Sequence, residues 1–259
     1  MADQIEVPES FPGPGAVAGR RVVVTGASRG LGTLLAHAFS RAGASVALVA
    51  RTERDLKAVA EALPGRSLVL SGDVTDEDCN EAVADAVVAE WGGVDVWVGN
   101  AGISPIVAGP RRTPAAVWRD VLDVNLTGAF LGARAAARVM RDGGRLIFTG
   151  SVIGERPREG LAAYSASKAG LVGLAKALAL DLAPAGITVN VVAPGWFDSP
   201  LVERWKNDPE LAGAVLRHTA QERWGAPADL VGAYTFLASD ASAFVTGTVL
   251  TVDGGYLLV

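Results

Sequence analysis

Tyr164 stands thirteen positions after Ser151, and Lys168 follows four residues later in the run Tyr164-Ser165-Ala166-Ser167-Lys168. On a helix, positions four apart share a face, so the Tyr164 phenol and the Lys168 ammonium can meet in one crevice. A free tyrosine ionises near pH 10, roughly three units too high for acid–base work at neutral pH. An adjacent cation lowers that barrier by favouring the phenolate. Ser151, just past a strand expected to end at Thr149, is then placed to hold a substrate oxygen while Tyr164 exchanges a proton with it. Interconversion of a carbonyl and an alcohol is the chemistry these three side chains fit. The Tyr–Lys pair alone also suits an ordinary amphipathic helix.

A second group of residues has the form of a nucleotide cradle. Thr25-Gly26-Ala27-Ser28-Arg29-Gly30-Leu31-Gly32 follows the first β-branched run and opens a helical pattern. Its glycines stand where backbone must approach a pyrophosphate, and amides at the helix start face the anion. Glycine spacing by itself also fits a tight turn without a ligand. About 20 residues further on, an NAD-binding unit places an acid on the adenosine ribose. Here the second strand ends Val49-Ala50-Arg51-Thr52. With no carboxylate there, Arg29 and Arg51 favour a 2′-phosphate, and so NADP over NAD. Asp73-Val74 follows the third strand at its carboxyl end, where the acid can accept from an adenine amino group or cap the following helix. The small residues of Asn100-Ala101-Gly102, after the fourth strand, leave room for a ribose.

Short β-branched runs alternate with helical stretches from Arg21 onward. Strands are predicted over 22–25, 45–50, 67–70, 94–98, 145–149, 188–192 and 248–252. Helices are predicted over 31–42, 53–63, 77–91, 114–140, 162–182 and 228–238. Seven strands with helical crossovers make an α/β fold, a doubly wound parallel sheet with helices on both faces. Residues 1–19, with their Pro12-Gly13-Pro14-Gly15 run, read as a flexible arm before a single domain at 20–259. The stretch 196–224 has no clear period and reads as a substrate lid.

Together the Thr25–Gly32 loop, Asp73, Asn100-Ala101-Gly102, Asn125, Ser151, Tyr164, Lys168, Pro194-Gly195 and the Val252-Asp253-Gly254-Gly255 ending resemble the short-chain dehydrogenase/reductase family over about residues 20–259. The short carboxyl end resembles the reductase branch, with 3-oxoacyl carrier-protein reductases and gluconate 5-dehydrogenase-like enzymes among its members. The resemblance implies a Rossmann-fold domain and a homotetramer. It also implies a proton relay in which Lys168 holds the nicotinamide ribose and Asn125 keeps a water in contact with solvent. Pro194, Gly195 and the backbone near Phe197 would contact the nicotinamide carboxamide, and Ser199, where the family often has threonine, would offer a hydroxyl to the pyrophosphate. Gly99 departs from the pattern, standing where the family's Asn-Asn-Ala-Gly motif has its first asparagine.

Composition narrows the alternatives. Half of the 259 residues are hydrophobic, enough for a sizeable core, and a net charge of -5 offers no field for nucleic acid. No apolar run approaches the roughly 20 residues of a membrane span. The single cysteine, Cys79, needs no oxidising compartment, so a cytoplasmic enzyme is expected. His37 and His218 lack metal-like partners, and no metal is expected. Substrate contacts are expected from 103–105, 152–158 and the lid, where Trp196, Trp205 and Trp224 suggest an apolar ketone or simply pack the lid down. Arg156 and Arg158 can steer an anionic substrate or remain solvated. Three readings follow: a ketone/secondary-alcohol oxidoreductase, a 3-oxoacyl carrier-protein reductase, or a nucleotide-sensing protein without catalysis.

Overall fold

The computed structural model describes residues 16–199 and 202–259. Its centre is a seven-stranded parallel sheet in the order β3-β2-β1-β4-β5-β6-β7. The strands are β1 (Arg21–Thr25), β2 (Ser45–Ala50), β3 (Ser67–Ser71), β4 (Val94–Gly99), β5 (Met140–Thr149), β6 (Thr188–Pro194) and β7 (Val249–Val252). Period-two alternation divides each strand between two cores. Val22 and Val24 of β1 join one cluster with Leu35 and Phe39, while Val23 joins another with Trp97 and Phe148. Both faces are therefore apolar and covered, as a parallel sheet requires.

One face carries α1 (Gly30–Arg41), α2 (Glu53–Glu61) and α9 (Ala228–Ala238). The other carries α3 (Glu77–Trp91), α5 (Gly128–Val139) and α6 (Ala162–Leu182). The helix expected over 114–140 is instead α4 (Ala115–Leu122), a π turn over Asp123–Thr127, and α5. The interruption has a cause: Asn125, 1% exposed, turns its amide onto the Ile103 backbone. Two helices that periodicity did not predict lie within 196–224, α7 (Glu203–Lys206) and α8 (Pro209–Arg217). The latter is capped by Asp208, whose carboxylate accepts from the amides of Glu210 and Leu211. Most of the expected arm lies outside the described residues, and Val17, at its end, already packs into the first core.

The order of the sheet fixes where a site can form. The chain crosses to one side after β1 and returns to the other at β4, so a crevice opens between the carboxyl ends of these two neighbours. All seven strands point their carboxyl ends to the same edge.

Candidate active site

The glycine loop lies in that crevice. Gly26 and Gly30 adopt φ of +68° and +57°, a region costly for side chains. A Cβ on Gly26 would stand 2.9 Å from Ala101 Cα, and one on Gly32 only 2.1 Å from the Gly26 carbonyl oxygen. The loop thus packs directly on the Asn100-Ala101-Gly102 turn. Helix α1 opens after Arg29 with no capping side chain and no acid in its first turn. Its leading amides, with Ser28 and Leu31 beside them, suit an anion.

Arg29, Arg51 and Thr52 are exposed at this end of the sheet. Neither arginine forms an ion pair among the described residues. Asp73 sits close enough to Arg51 to feel its charge, and hydrogen bonds from Thr75 hold its carboxyl below the usual range. Its Oδ1 accepts from the Thr75 amide at 3.0 Å and hydroxyl at 2.9 Å, closing a turn. The cap of α3 is Asp76, not Asp73. Val74 lies against Gly128 at the start of α5.

A hydrogen-bonded chain ties the strand ends together. Asn100 Nδ2 donates to the Thr25 carbonyl at 3.0 Å, and the amides of Asn100 and Ala101 donate to Thr25 Oγ1 at 3.0 and 3.1 Å. Thr149 Oγ1 donates to Asn100 Oδ1 at 3.1 Å and lies 2.8 Å from the Tyr234 hydroxyl. Thr149 has one hydroxyl hydrogen, already given to Asn100, so Tyr234 is the donor in the second bond. Burial pushes Tyr234 well above the ordinary tyrosine value, which keeps that proton in place. Sequence reasoning missed this residue, although a tyrosine inside an otherwise apolar helix needs a partner for its hydroxyl. At Gly99 a Cβ would meet the Phe148 ring at 2.8 Å, so Phe148 fills the space an asparagine side chain would need.

Ser151, Tyr164, Lys168 and Asn125 converge on the next strand end. Lys168, 4% exposed, extends its ammonium to the Thr149 carbonyl at 2.6 Å and lies 5.6 Å from the centre of the Tyr164 ring. Ser151 Oγ accepts from the Ile153 amide at 3.2 Å, and its hydroxyl also hydrogen-bonds with the Tyr164 phenol. Asn125 Oδ1 accepts from the Ile103 amide at 2.8 Å, while its Nδ2 donates to the Ile103 carbonyl at 3.0 Å and to Ser167 Oγ at 3.1 Å. A small π turn carries this asparagine, a form frequent at functional sites. The electrostatics differ from the sequence expectation. Burial pushes the Tyr164 phenol up, opposed by its interaction with the Ser151 hydroxyl, and the same burial brings the Lys168 amine down to about 8. Lys168 directs one of its three N–H groups to Thr149, and at the phenol desolvation is the largest influence.

Pro194 ends β6, and Gly195 follows with its amide on the Val252 carbonyl at 2.9 Å and no room for a Cβ beside Asp253. Phe197 bridges to Gly225 and buries its ring in the core. Ser199 accepts from the Val202 amide through its carbonyl at 3.1 Å. Beside Tyr164 a recess of about 20 Å³ is walled by Ser104, Pro105, Ile106 and Leu161. Among the described residues no cluster of His, Cys, Asp or Glu is suited to a metal, and no helix is long and apolar enough to cross a membrane.

Residues 26–257 match the family model described as enoyl-(acyl carrier protein) reductase. The chain is 41% identical over 249 residues to 3beta-hydroxysteroid dehydrogenase 1 of Eggerthella lenta, covering 93% of this chain and 94% of that one. The chain belongs to the short-chain dehydrogenase/reductase family. This short-chain dehydrogenase/reductase is also 38% identical over 243 residues to the 3-oxoacyl-[acyl-carrier-protein] reductase of Escherichia coli, covering 93% and 98% of the two chains. A short chain dehydrogenase from Burkholderia cenocepacia, solved in complex with NADP, superimposes with a TM-score of 0.87 at 33% identity, covering 93% of this chain and 99% of that one. As a family member, the protein is an oxidoreductase with a nicotinamide cofactor.

Proposed function

We propose that this short-chain dehydrogenase/reductase interconverts a ketone and a secondary alcohol with NADP(H), and that Tyr164 transfers the proton. The observation that carries the reading is the meeting of Ser151, Tyr164 and Lys168 at the end of β5, with only β4 between it and the strand that leads into the glycine loop. The uncapped start of α1 and the closely packed glycines fit the pyrophosphate of a dinucleotide. When bound, the nicotinamide supplies or accepts the hydride at the substrate carbon. Ser151 holds the substrate oxygen with its hydroxyl hydrogen, and Tyr164 delivers a proton to that oxygen in reduction or removes it in oxidation. Lys168 holds the nicotinamide ribose and favours the tyrosinate, and Asn125 fixes the 103–105 loop beside the relay while keeping a water at hand. Asp73 and Val74 bound the adenine, and Pro194, Gly195, Phe197 and Ser199 bound the nicotinamide end.

NADP is favoured over NAD because Arg29 and Arg51 lie exposed and without ion pairs where a 2′-phosphate would sit. The related enzyme holding NADP agrees with this. A homotetramer of the cytoplasm is the assembly we infer. Leu180 on α6 is 79% exposed, and Leu258 near the carboxyl end is 88% exposed, both apolar surfaces suited to subunit contacts. A second reading, reduction of a 3-oxoacyl group on a carrier protein, follows from the Escherichia coli relative. Loss of NADPH absorbance against a panel of cyclic ketones, linear ketones and 3-oxoacyl thioesters separates the two. Activity confined to the thioesters favours the second, and no oxidation of NADPH by any of them contradicts both.

A further inference from the structure

Arg156 and Arg158 both lie between Ser151 and Tyr164, and the structure gives them different tasks. Arg156 Nη1 donates to the carbonyls of Tyr256, at 2.8 Å, and Val259, and Nη2 lies 3.5 Å from His218 Nδ1. This guanidinium fastens the carboxyl end. Arg158 has no such bonds. Its Cζ lies 5.3 Å from the centre of the Trp196 ring and 5.2 Å from that of Trp205, two indoles that meet edge to face. Its Nη1 is shut off from water with no hydrogen-bond acceptor among the described residues, and no carboxylate there pairs with it.

Aromatic faces attract a cation through their quadrupole, but they do not satisfy the N–H groups along the edge of a guanidinium plane. A second donor in the same cluster is in the same condition. Trp196, 7% exposed, has its Nε1–H buried without an acceptor. Buried donors without partners are rare in folded proteins. Here Trp196 belongs with Val152, Ile153 and Leu161 to the cluster against which Tyr164 packs, and Arg158 lies over its ring. The apolar cluster behind Tyr164 therefore carries at its Trp196 side one fixed positive charge and two N–H groups that lack acceptors.

We propose that Arg158 is a specificity-determining residue that binds the carboxylate of an anionic ketone or alcohol whose body, between carboxylate and reacting carbon, is apolar. The planar fork of the guanidinium matches a carboxylate, and a single cation matches a single negative charge. The Trp196 and Trp205 indoles suit a hydrocarbon ring or chain, and the one acceptor-less indole N–H is too little for a row of hydroxyls. This rests on the reductase reading only for what happens at the carbonyl; the carboxylate contact is separable from it.

Binding is measured on the NADP-loaded protein with cyclohexanecarboxylate and its methyl ester, followed by tryptophan emission. Turnover of 4-oxocyclohexanecarboxylate and its methyl ester is followed with NADPH. The wild type is expected to favour the acid over the ester by tenfold or more in both. Arg158→Gln should collapse the ratio towards one, and Arg158→Lys, which keeps the charge without the fork, should keep part of it. Equal affinity for acid and ester in the wild type, or a preference that survives Arg158→Gln, overturns the proposal. The wild-type comparison needs no variant to fold. A carboxylate preference in binding with no turnover of any ketone would leave this contact standing and count against the reductase reading instead.

Discussion

Replacing Lys168 by methionine tests how strongly this site depends on burying a charge. The amine is 4% exposed and surrounded by the ends of β5 and α6, and its pKa is lowered by desolvation to about 8 from the 10.5 of a free lysine. At about 1.4 kcal/mol per pH unit, holding it charged in the folded protein costs about 3 kcal/mol. Below pH 8 both folded and unfolded chains carry the proton, and the whole cost is present. Between about 8 and 10.5 the unfolded chain binds a proton that the folded chain has released, so stability rises with pH over that window. Lys168→Met removes this dependence and the hydrogen bond to Thr149, a loss common to all pH values. Urea unfolding of both proteins at fixed concentration, from pH 7 to 10.5, isolates the effect as the difference between their unfolding free energies. Wild-type stability should gain on the variant by up to about 3 kcal/mol as pH rises. A difference that stays flat, or falls with pH, would show that the Thr149 carbonyl and the Tyr164 ring hold the ammonium more firmly than burial opposes it, and the reasoning would be wrong.

Two further outcomes follow from the cofactor crevice and the hydrogen-bonded chain. Arg51→Asp should move the ratio of kcat/KM for NADPH over NADH towards NADH by tenfold or more, because a carboxylate repels a 2′-phosphate and accepts from a ribose hydroxyl; an unchanged ratio removes the phosphate assignment. Tyr234→Phe deletes the donor to Thr149 Oγ1 and should lower stability by about 1 kcal/mol, roughly 2–4 °C in Tm, with turnover kept within a few-fold. Thermal unfolding at matched protein concentration reads the first effect. An unaltered Tm would mean that this bond contributes nothing.

The sheet was legible because its strands are short β-branched runs buried on both sides, and the glycine loop because backbone conformation and close approach demand glycine at Gly26 and Gly32. Ser151, Tyr164 and Lys168 were legible through spacing, since helical period alone puts the last two on one face. What spacing did not convey was environment. The Tyr164 phenol moves up and not down because the pocket that brings Lys168 near also desolvates both. The π turn at Asn125 depends on a contact with Ile103, 22 residues away, which no local pattern records. The Tyr234–Thr149 bond joins residues 85 apart. Within 196–224, the Asp208-Pro209 pair is a legible helix start, but α7 and α8 span too few turns to stand out. Arg156 and Arg158 look alike in sequence, and only the carboxyl end folding back onto Arg156 separates them.

The most direct test of the proton assignment is single-turnover reduction by Tyr164→Phe, with NADPH binding measured alongside. The phenylalanine keeps the ring and loses only the hydroxyl that faces Ser151. Turnover should fall by about 10²–10⁴-fold with the dissociation constant for NADPH unchanged. Turnover within a few-fold of the wild type would show that another group supplies the proton.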